Sequence, residues 1–470
     1  MRPVRLVLVI LGATLAGCST DPGPDPHAGP ASPDLGQAVA FHVDGTPASN
    51  EDLAGAMPMR GAQRSIGANS FEPTLGVDPS GAIYMAARFE STAGERIRAS
   101  FDQGTTWKEV GPYVVPGLVT NPVASGDPFI YVDPATGRVF GAHLTSFACT
   151  WIVFSDDQGA SWETNPAACG LPPGGDDHQS IVGAPARTST STYGENRLVH
   201  YCAQNNLFNH CAMSADGGRS FGVRSQIVFQ VGEELPGGCT AASGHVRADH
   251  AGRVFLGKVH CGTPVLMASE DEGRTWTQHI ISETSDGDHY HLELAADAAD
   301  NLYALWTAAD LPRLAVSRDH GVTWSEPMVV SPPAVTTTSF PVLDAGGEAR
   351  VVVGYYGSTR TEGATAPWHA YIGVLSDALA PDPVVYTVTA DSEEDPLARE
   401  CSGRCGGAGD FLDIAIGPDG RPWMALTDVC HSACVAGTAN DAGANHAGVG
   451  TLAEGPSLLD GRPLPPLTPV

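Results

Sequence analysis

Residues suited to proton transfer, anion binding and sugar stacking recur at two sets of positions beside short apolar segments of the chain. These apolar segments come in pairs that recur along the chain. The first set of residues lies just before the first segment of a pair: Glu72, Asp127, Asp177, His178, His245, His289, His291, Ser339, Phe340 and Asp410. The second set ends the second segment: Arg88, His143, Tyr201, Lys258, Trp306, Tyr355, Tyr356 and Asp428. Carboxylates, imidazoles and tyrosines transfer protons, cationic side chains hold anions, and aromatic rings stack on sugars. Brought together, these types would suit a sugar-binding or metal-binding site.

The segments between these residues are predicted to be β-hairpins. The clearest is Pro73-Thr-Leu-Gly-Val-Asp78-Pro-Ser-Gly81-Ala-Ile-Tyr-Met-Ala-Ala87, in which a polar Asp-Pro-Ser-Gly turn separates two apolar runs. Six later hairpins begin at Pro128, Ile181, His245, Leu292, Val342 and Asp413. The chain therefore contains seven hairpins of this kind.

A second motif, Ser-x-Asp-x-Gly-x-(Ser/Thr)-aromatic, occurs five times and is called the repeated turn below. Its copies span residues 100–107, 155–162, 214–221, 269–276 and 317–324, with steps of 55, 59, 55 and 48 residues between their aspartates. Ser and Asp side chains bond nearby backbone amides, and Gly accepts a positive φ, so the motif predicts a structural turn. A repeat of this length indicates stacked supersecondary units.

The repeated turn resembles the Asp box, or BNR repeat, of sialidase-like β-propellers. The resemblance implies an all-β fold with one propeller of four-stranded blades, seven by our count of hairpins and six as the alternative. The sixth and seventh blades lack the repeated turn, and the seventh is one strand short after residues 446–452. We expect residues 38–43 to supply that strand and close the ring.

The N-terminal segment of the chain predicts export and attachment to a membrane. Residues 1–17 resemble a lipoprotein signal peptide ending in Leu-Ala-Gly, which would leave Cys18 lipidated; ordinary signal cleavage with a spare cysteine is the alternative. Residues 18–37 are expected to form a disordered tether, 38–455 the propeller and 456–470 a Pro-rich tail. The expected location is the cell envelope, at the outer membrane or cell surface.

Composition narrows the possible partners. The formal net charge is −28, and Lys108 and Lys258 are the only lysines, so a basic face for nucleic acid is excluded. Charged residues are only 17% of the chain, while 55 Gly and 37 Pro suit short strands and tight turns. We expect a monomer that binds a glycan or glycoconjugate.

Ten cysteines remain when Cys18 is set aside, an even number that fits an oxidising compartment. Nearest-neighbour pairing predicts disulfides Cys149–Cys169, Cys202–Cys211 and Cys239–Cys261. The last four, Cys401, Cys405, Cys430 and Cys434, are expected to form two more disulfides, with a zinc site as the alternative.

The resemblance implies that the two sets of polar residues meet at one mouth of the propeller. The predicted catalytic residues are Asp127, His178, His143 and Tyr201. The predicted substrate-binding residues are Arg88, Lys258, Trp306, Tyr355, Glu72 and Asp410. His245 and His291, with His178 and either Asp127 or Asp410, could bind a divalent metal, the one cofactor considered.

Sialidases hold the substrate carboxylate with three arginines, and this chain departs from that pattern. The segment that aligns with the first arginine reads Ser70-Phe71-Glu72-Pro73-Thr74-Leu75, so Phe71 takes the arginine position. We therefore expect a glycoside hydrolase or lyase other than a standard sialidase. A non-catalytic module that binds a glycan or protein, and a metal-binding propeller, are the alternatives.

Overall fold

The computed structural model describes most of the chain from residue 38 onward. The described residues are 38–54, 56–87, 96–111, 127–145, 149–166, 176–204, 209–222, 224–229, 242–283, 291–359, 366–401, 405, 407–441 and 445–469. Cys18, Arg88, Cys169, Cys239 and His289 lie outside these ranges, so the predictions made for them stay predictions.

Nearly all regular structure is β-strand. The first elements are β1 (Val39–His42), α1 (Asn50–Ala54), β2 (Arg60–Asn69), β3 (Thr74–Val77), β4 (Ile83–Ala87), β5 (Arg96–Ser100), β6 (Lys108–Gly111), β7 (Phe129–Val132), β8 (Val139–Thr145), β9 (Cys149–Ser155), β10 (Glu163–Pro166), β11 (Asp177–Pro185), β12 (Arg197–Gln204), β13 (Asn209–Ser214) and β14 (Ser225–Ile227). The others are β15 (Arg247–Ala248), β16 (Val254–His260), β17 (Thr263–Ser269), β18 (Thr277–Ile280), β19 (Glu293–Ala296), β20 (Leu302–Ala308), β21 (Leu311–Ser317), β22 (Met328–Val329), β23 (Thr337–Ala345), β24 (Val351–Ser358), β25 (His369–Leu375), β26 (Val384–Thr389), β27 (Ile414–Ile416), β28 (Pro422–Asp428), α2 (Ser432–Val435) and β29 (His446–Glu454).

These strands form seven antiparallel sheets, which confirms the seven-bladed propeller and removes the six-bladed alternative. Blades one to five are β3–β6, β7–β10, β11–β14, β15–β18 and β19–β22 in sequence order. Blade six contains β23–β26 and blade seven contains β27–β29. Each predicted hairpin supplies the two inner strands of one blade.

The ring is closed by a different strand from the one predicted. β2 pairs with β29 and completes blade seven, whereas β1 pairs with β26 and adds a fifth strand to blade six. The expectation that residues 38–43 close the ring was therefore wrong. β2 reads Arg-Gly-Ala-Gln-Arg-Ser-Ile-Gly-Ala-Asn, whose single large apolar residue, Ile66, gives a weak strand signal. β1 has the stronger β-branched and aromatic pattern.

The hydrophobic core lies between neighbouring blades rather than in one central mass. One cluster joins blades five and six through Tyr303, Leu305, Val353 and Tyr355, all fully buried. Another joins blades three and four through Ile227 of blade three and Val254 and Leu256 of blade four. Because every blade faces two others, each sheet buries both faces, which explains strands with few polar positions.

All five repeated turns have the same hydrogen bonds. In the first, Ser100 Oγ donates to Asp102 Oδ1 and accepts from Gly104 N, both at 2.8 Å. Asp102 accepts from Thr106 N at 2.8 Å and from Thr106 Oγ1 at 2.6 Å. The bonds recur in the other copies. The turn therefore serves the scaffold at the end of the propeller opposite to the predicted mouth.

The Pro-rich tail packs along that same end. Leu458 is 1% exposed; its N–H donates to Gly420 O at 2.9 Å and its carbonyl accepts from Gly347 N at 2.8 Å. Farther along, Arg421 Nη2 donates to Pro465 O and Arg64 Nη2 donates to Thr468 O. Thr468 N also donates to Gln103 Oε1 of blade one at 2.8 Å, so the tail ties together blades one, six and seven.

Three predicted disulfides are present: Cys202–Cys211, Cys401–Cys405 and Cys430–Cys434. Bonding of the last four cysteines to one another excludes the zinc alternative for them. Cys261 is also disulfide-bonded. No helix in the described ranges is long and apolar enough to cross a membrane.

Candidate functional site

Four carboxyl groups that precede inner strands meet at one end of the ring. Glu72 of blade one, Asp127 of blade two and Asp410 of blade seven lie close enough to influence one another's ionisation, and Asp177 of blade three influences that of Asp127. We call Glu72, Asp127, Asp177 and Asp410 the carboxyl cluster. Glu72 is 1% exposed, and the other three are partly exposed above it. The predicted convergence at a mouth is therefore present for these blades.

The backbone around Glu72 is built to aim its side chain. Glu72 has a φ of 52°, in the left-handed region that costs most residues free energy. Its N–H donates to Ala408 O at 2.9 Å, and its Oε1 accepts from Asp410 N at 3.0 Å. Gly409 has a φ of +108°, and a Cβ there would lie 2.8 Å from Glu72 N. Only glycine at 409 lets blades one and seven approach this closely.

Bulges aim the corresponding side chains of other blades. His178 in blade three and Phe340 in blade six have φ values of 46° and 54°. The strand register shifts across each of them, between Asp177 and Ser180 and between Ser339 and Val342. A bulge turns side chains away from their regular alternation, so these blades direct residues into the mouth.

Burial and neighbouring carboxylates favour the protonated forms of two members of the carboxyl cluster. Burial and the nearby carboxylates of Asp127 and Asp410 raise the pKa of Glu72 well above its ordinary value. Burial also raises the pKa of Asp127 to about 7, with a further contribution from Asp177 and an opposing one from its hydrogen bond with Glu72. Glu72 Oε2 is buried and has no hydrogen-bond partner among the described residues, so the protonated form of Glu72 is favoured. Neighbouring carboxyl groups that share protons are a common way to set a general acid beside a base.

Three predicted imidazoles lie next to this cluster, around Phe411. Ring centroids of His178, His245 and His291 are 5.7, 5.4 and 5.8 Å from that of Phe411, and His178 and His291 are 4.7 Å apart. In the described ranges, no three His, Cys, Asp or Glu side chains are arranged to hold a metal ion. The Phe411 ring stands among the imidazoles that the sequence analysis assigned to a metal.

The floor of the mouth is polar and buried. Burial, with a contribution from His178, lowers the pKa of His291 well below its usual range, so this imidazole is neutral at pH 7. His291 Nε2 and Gln179 Oε1 are buried and have no hydrogen-bond partner among the described residues. Gln179 Nε2 donates to Asp127 O, which ties blades two and three together. Two buried polar atoms that face a cluster of acids can bind the hydroxyl groups of a ligand.

Arg247 lies below the imidazoles and is engaged by protein groups. Its Nη2 is 3.5 Å from Glu293 Oε2, and its Nε donates to Leu294 O at 3.1 Å. His245 Nδ1 lies 3.6 Å from the other Glu293 oxygen. Arg64, at the opposite end, donates from Nη1 to Thr105 Oγ1 at 2.6 Å. Neither arginine is available in the mouth to bind a carboxylate.

Tyr201, a predicted catalytic residue, belongs to a separate buried network. Its hydroxyl donates to Asp176 Oδ2 at 2.8 Å, and His210 Nε2 lies 3.0 Å from Asp176 Oδ1. Tyr201 is 0% exposed, and burial, with a contribution from Asp176, raises its pKa well above the ordinary value. His143 is 1% exposed. Their predicted proton transfer to a substrate would require these side chains to become accessible.

Two predicted aromatic contacts are likewise buried. Trp306 is 0% exposed in the cluster between blades four and five. Tyr355 is 0% exposed and stacks on Tyr371, with centroids 5.3 Å apart. Neither ring has a free face, because both fill space between blades, so a sugar could not stack on them in this structure. Lys258 lies between blades three and four.

The sequence analysis did not select Phe411 or Gln179 as site residues. Each directly follows a selected residue, Asp410 or His178. A bulge places two or three consecutive residues at the mouth, so the residue that follows each predicted position is also a candidate.

No family model and no curated protein matches the chain. Solved structures with similar folds include a protein of unknown function from Dyadobacter fermentans, at 13% identity and TM-score 0.40, with 83% of this chain and 97% of that chain covered. The intramolecular trans-sialidase from Ruminococcus gnavus has 13% identity and TM-score 0.42, with 82% and 97% covered. Penicillium chrysogenum alpha-L-arabinanase has 14% identity and TM-score 0.40, with 70% and 98% covered. At these identities and TM-scores the similarities carry no information on activity or substrate.

Proposed function

We propose that the protein is a glycan-active enzyme, a hydrolase or lyase, whose acid–base centre is the carboxyl cluster. The observation that carries the proposal is the convergence of Glu72, Asp127, Asp177 and Asp410 from four blades, where burial raises the pKa of Glu72 and raises that of Asp127 to about 7. Asp127 is partly exposed, and a carboxyl group that titrates near neutral pH can act as general acid or base towards a substrate, whereas buried Glu72 sets the charge beside it. Asp177 and Asp410, which are also partly exposed, are the candidates for the second carboxyl group that glycosidic bond cleavage needs.

The surroundings of the cluster support a hydroxyl-rich ligand. Gln179 Oε1 and His291 Nε2 are buried polar atoms without protein partners in the described ranges. Sugar hydroxyl groups both donate and accept hydrogen bonds, so they can satisfy amide, imidazole and carboxylate atoms together. The sialidase pattern is not met, because Phe71 occupies the aligned arginine position and Arg247 is engaged by Glu293.

The proposal is tested by assaying glycosides and polysaccharides of neutral, uronic and sialic sugars. We expect bond cleavage on at least one substrate and little or no release of sialic acid. Asp127→Asn should lower kcat by about 100-fold or more, because it removes a proton-transfer group, and Glu72→Gln should change the pH dependence of kcat, because it removes the carboxyl group beside Asp127. Glu195→Gln, on an exposed turn, is the matched control and should leave activity unchanged.

Three outcomes would contradict the proposal. Full activity in Asp127→Asn would remove the cluster from the chemistry. Binding of a glycan without turnover of any substrate in the panel would identify a non-catalytic glycan-binding module. Robust sialic acid release that is lost in Arg88→Ala and Arg247→Ala would show that the protein is a sialidase even though Phe71 occupies the aligned arginine position.

We also propose that the mature protein is a lipoprotein held at the cell envelope through Cys18. The support is the apolar run of residues 6–11 followed by Leu15-Ala16-Gly17-Cys18. Cells fed a fatty-acid analogue should incorporate label into the wild type and not into Cys18→Ala. Equal labelling of both would rule the anchor out.

A further inference from the structure

Lys258 extends a buried face of β16 that packs against blade three. Val254 and Leu256, at alternate positions before it, belong to the apolar cluster that also contains Ile227 and Phe229. Side chains two residues apart share one face of a strand, so Lys258 continues this face towards the mouth. A lysine thus stands where the pattern calls for an apolar residue.

The ammonium group of Lys258 has no anionic partner among the described residues. The residue is 8% exposed, and its Nζ lies 5.4 Å from the centre of the Phe229 ring. The His260 ring stacks on the same Phe229 ring, and the two ring centroids are 5.8 Å apart. Burial lowers the pKa of Lys258 to about 8. Buried charges in proteins are normally paired, because an isolated one is costly to remove from water.

The groups around Lys258 are neutral and already organised. Ser243 forms a β-bridge with Lys258. Its N–H donates to Gln204 Oε1 at 3.0 Å, and its Oγ accepts from Asn209 Nδ2 at 2.9 Å. These bonds fix a polar wall opposite the aromatic one. The described groups around the ammonium are therefore polar or aromatic and carry no negative charge, in a protein whose net charge is −28.

We propose that Lys258 is the binding residue of an anion subsite between blades three and four, which takes one carboxylate or sulfate group of a ligand. A single ammonium matches one such charge, and the neutral amides and hydroxyl nearby do not repel it. The net negative charge of the protein disfavours polyanions, so the subsite suits a ligand with an isolated acidic group. The choice of acidic sugars as probes rests on the proposed function, whereas the anion subsite does not.

The two-lysine composition allows a direct test. Reductive ¹³C-methylation should give one NMR signal for Lys258 and one for Lys108, assigned with the variants Lys258→Met and Lys108→Met. Glucuronate or glucose 6-sulfate should shift the Lys258 signal and raise its titration midpoint by about one pH unit, because a bound anion stabilises the ammonium form. Glucose should leave it unchanged. The anion with the larger effect distinguishes carboxylate from sulfate.

Calorimetric titration of unmethylated protein provides a second measurement. Lys258→Met should lower affinity for the acidic sugar at least tenfold, with wild-type or higher thermal stability, because methionine replaces an unpaired buried charge with an apolar chain of similar length. Lys108→Met is the matched control, and Asp127→Asn should still bind the anion even if it cleaves nothing. Equal shifts at both lysines, no shift with either anion, or unchanged affinity in Lys258→Met would overturn the proposal.

Discussion

Asp410 of blade seven donates its backbone N–H to Glu72 Oε1 of blade one at 3.0 Å, and Asp127 of blade two lies close enough to raise the pKa of Glu72 further. The contact exists only because the backbone at Glu72 is left-handed and Gly409 of blade seven leaves room beside it. Three blades therefore determine the protonation state of one carboxyl group.

The protonated state of Glu72 predicts that stability falls as pH rises. The pKa of Glu72 is raised in the folded protein, so the folded state holds a proton that the unfolded chain loses above the ordinary glutamate pKa of 4.5. The stabilising contribution is complete below that pH and is lost progressively at higher pH, by up to about 1.4 kcal/mol per pH unit. Urea unfolding at pH 5, 7 and 9 should show this decline in wild type and a flatter profile in Glu72→Gln. Identical profiles would mean that Glu72 ionises freely.

Ring closure by β2 predicts how N-terminal truncations behave. Removing residues up to 45 deletes β1, the fifth strand of blade six, and should lower the free energy of unfolding only moderately. Removing residues up to 69 also deletes β2, exposes the edge of β29 and should prevent folding. Circular dichroism and thermal melts of both proteins provide the measurement. A folded protein without β2 would show that another segment closes the ring.

The hydrogen bonds of the repeated turn predict a stability loss in Asp216→Ala. Asp216 accepts from Ser220 N and Ser214 Oγ at 2.8 and 2.7 Å, and removing these partners should cost about 1 to 2 kcal/mol in urea unfolding. Although burial opposes it, hydrogen bonding lowers the pKa of Asp216 below 3.8, so its contribution is present above pH 3.8 and disappears as pH falls through the lower folded pKa. The gap between wild type and variant should close in acid. Exposed Asp377→Ala is the control.

The packing of the C-terminal tail predicts that it stabilises the propeller. Deleting residues 456–470 would expose Arg421, which is 0% exposed, and remove buried Leu458. We expect a clear fall in thermal midpoint, because a buried arginine loses its carbonyl acceptor and an apolar contact is lost. Deleting only 469–470 should have no effect. Equal midpoints for the two deletions would mean that the tail packs without contributing stability.

The sequence by itself determined the architecture. Seven hairpins and five repeated turns are local features, because a Ser, an Asp and a Gly at fixed spacing make their hydrogen bonds within eight residues. The disulfides Cys401–Cys405 and Cys430–Cys434 are equally local, with a separation of four residues each. Such features depend little on the rest of the fold, which explains why the blade count and these pairings were correct.

Only the tertiary structure decided which strand closes the ring and which polar residues work together. β2 is recognised by its partner β29, almost 400 residues away, and not by its own weak apolar pattern. Glu72, Asp127, Asp177 and Asp410 become one site because bulges and Gly409 bring four blades to one point. Trp306 and Tyr355 carry the same residue-type signal, yet the packing of neighbouring blades buries them. Position along a strand predicts the end of the blade at which a side chain lies, whereas its exposure depends on distant residues.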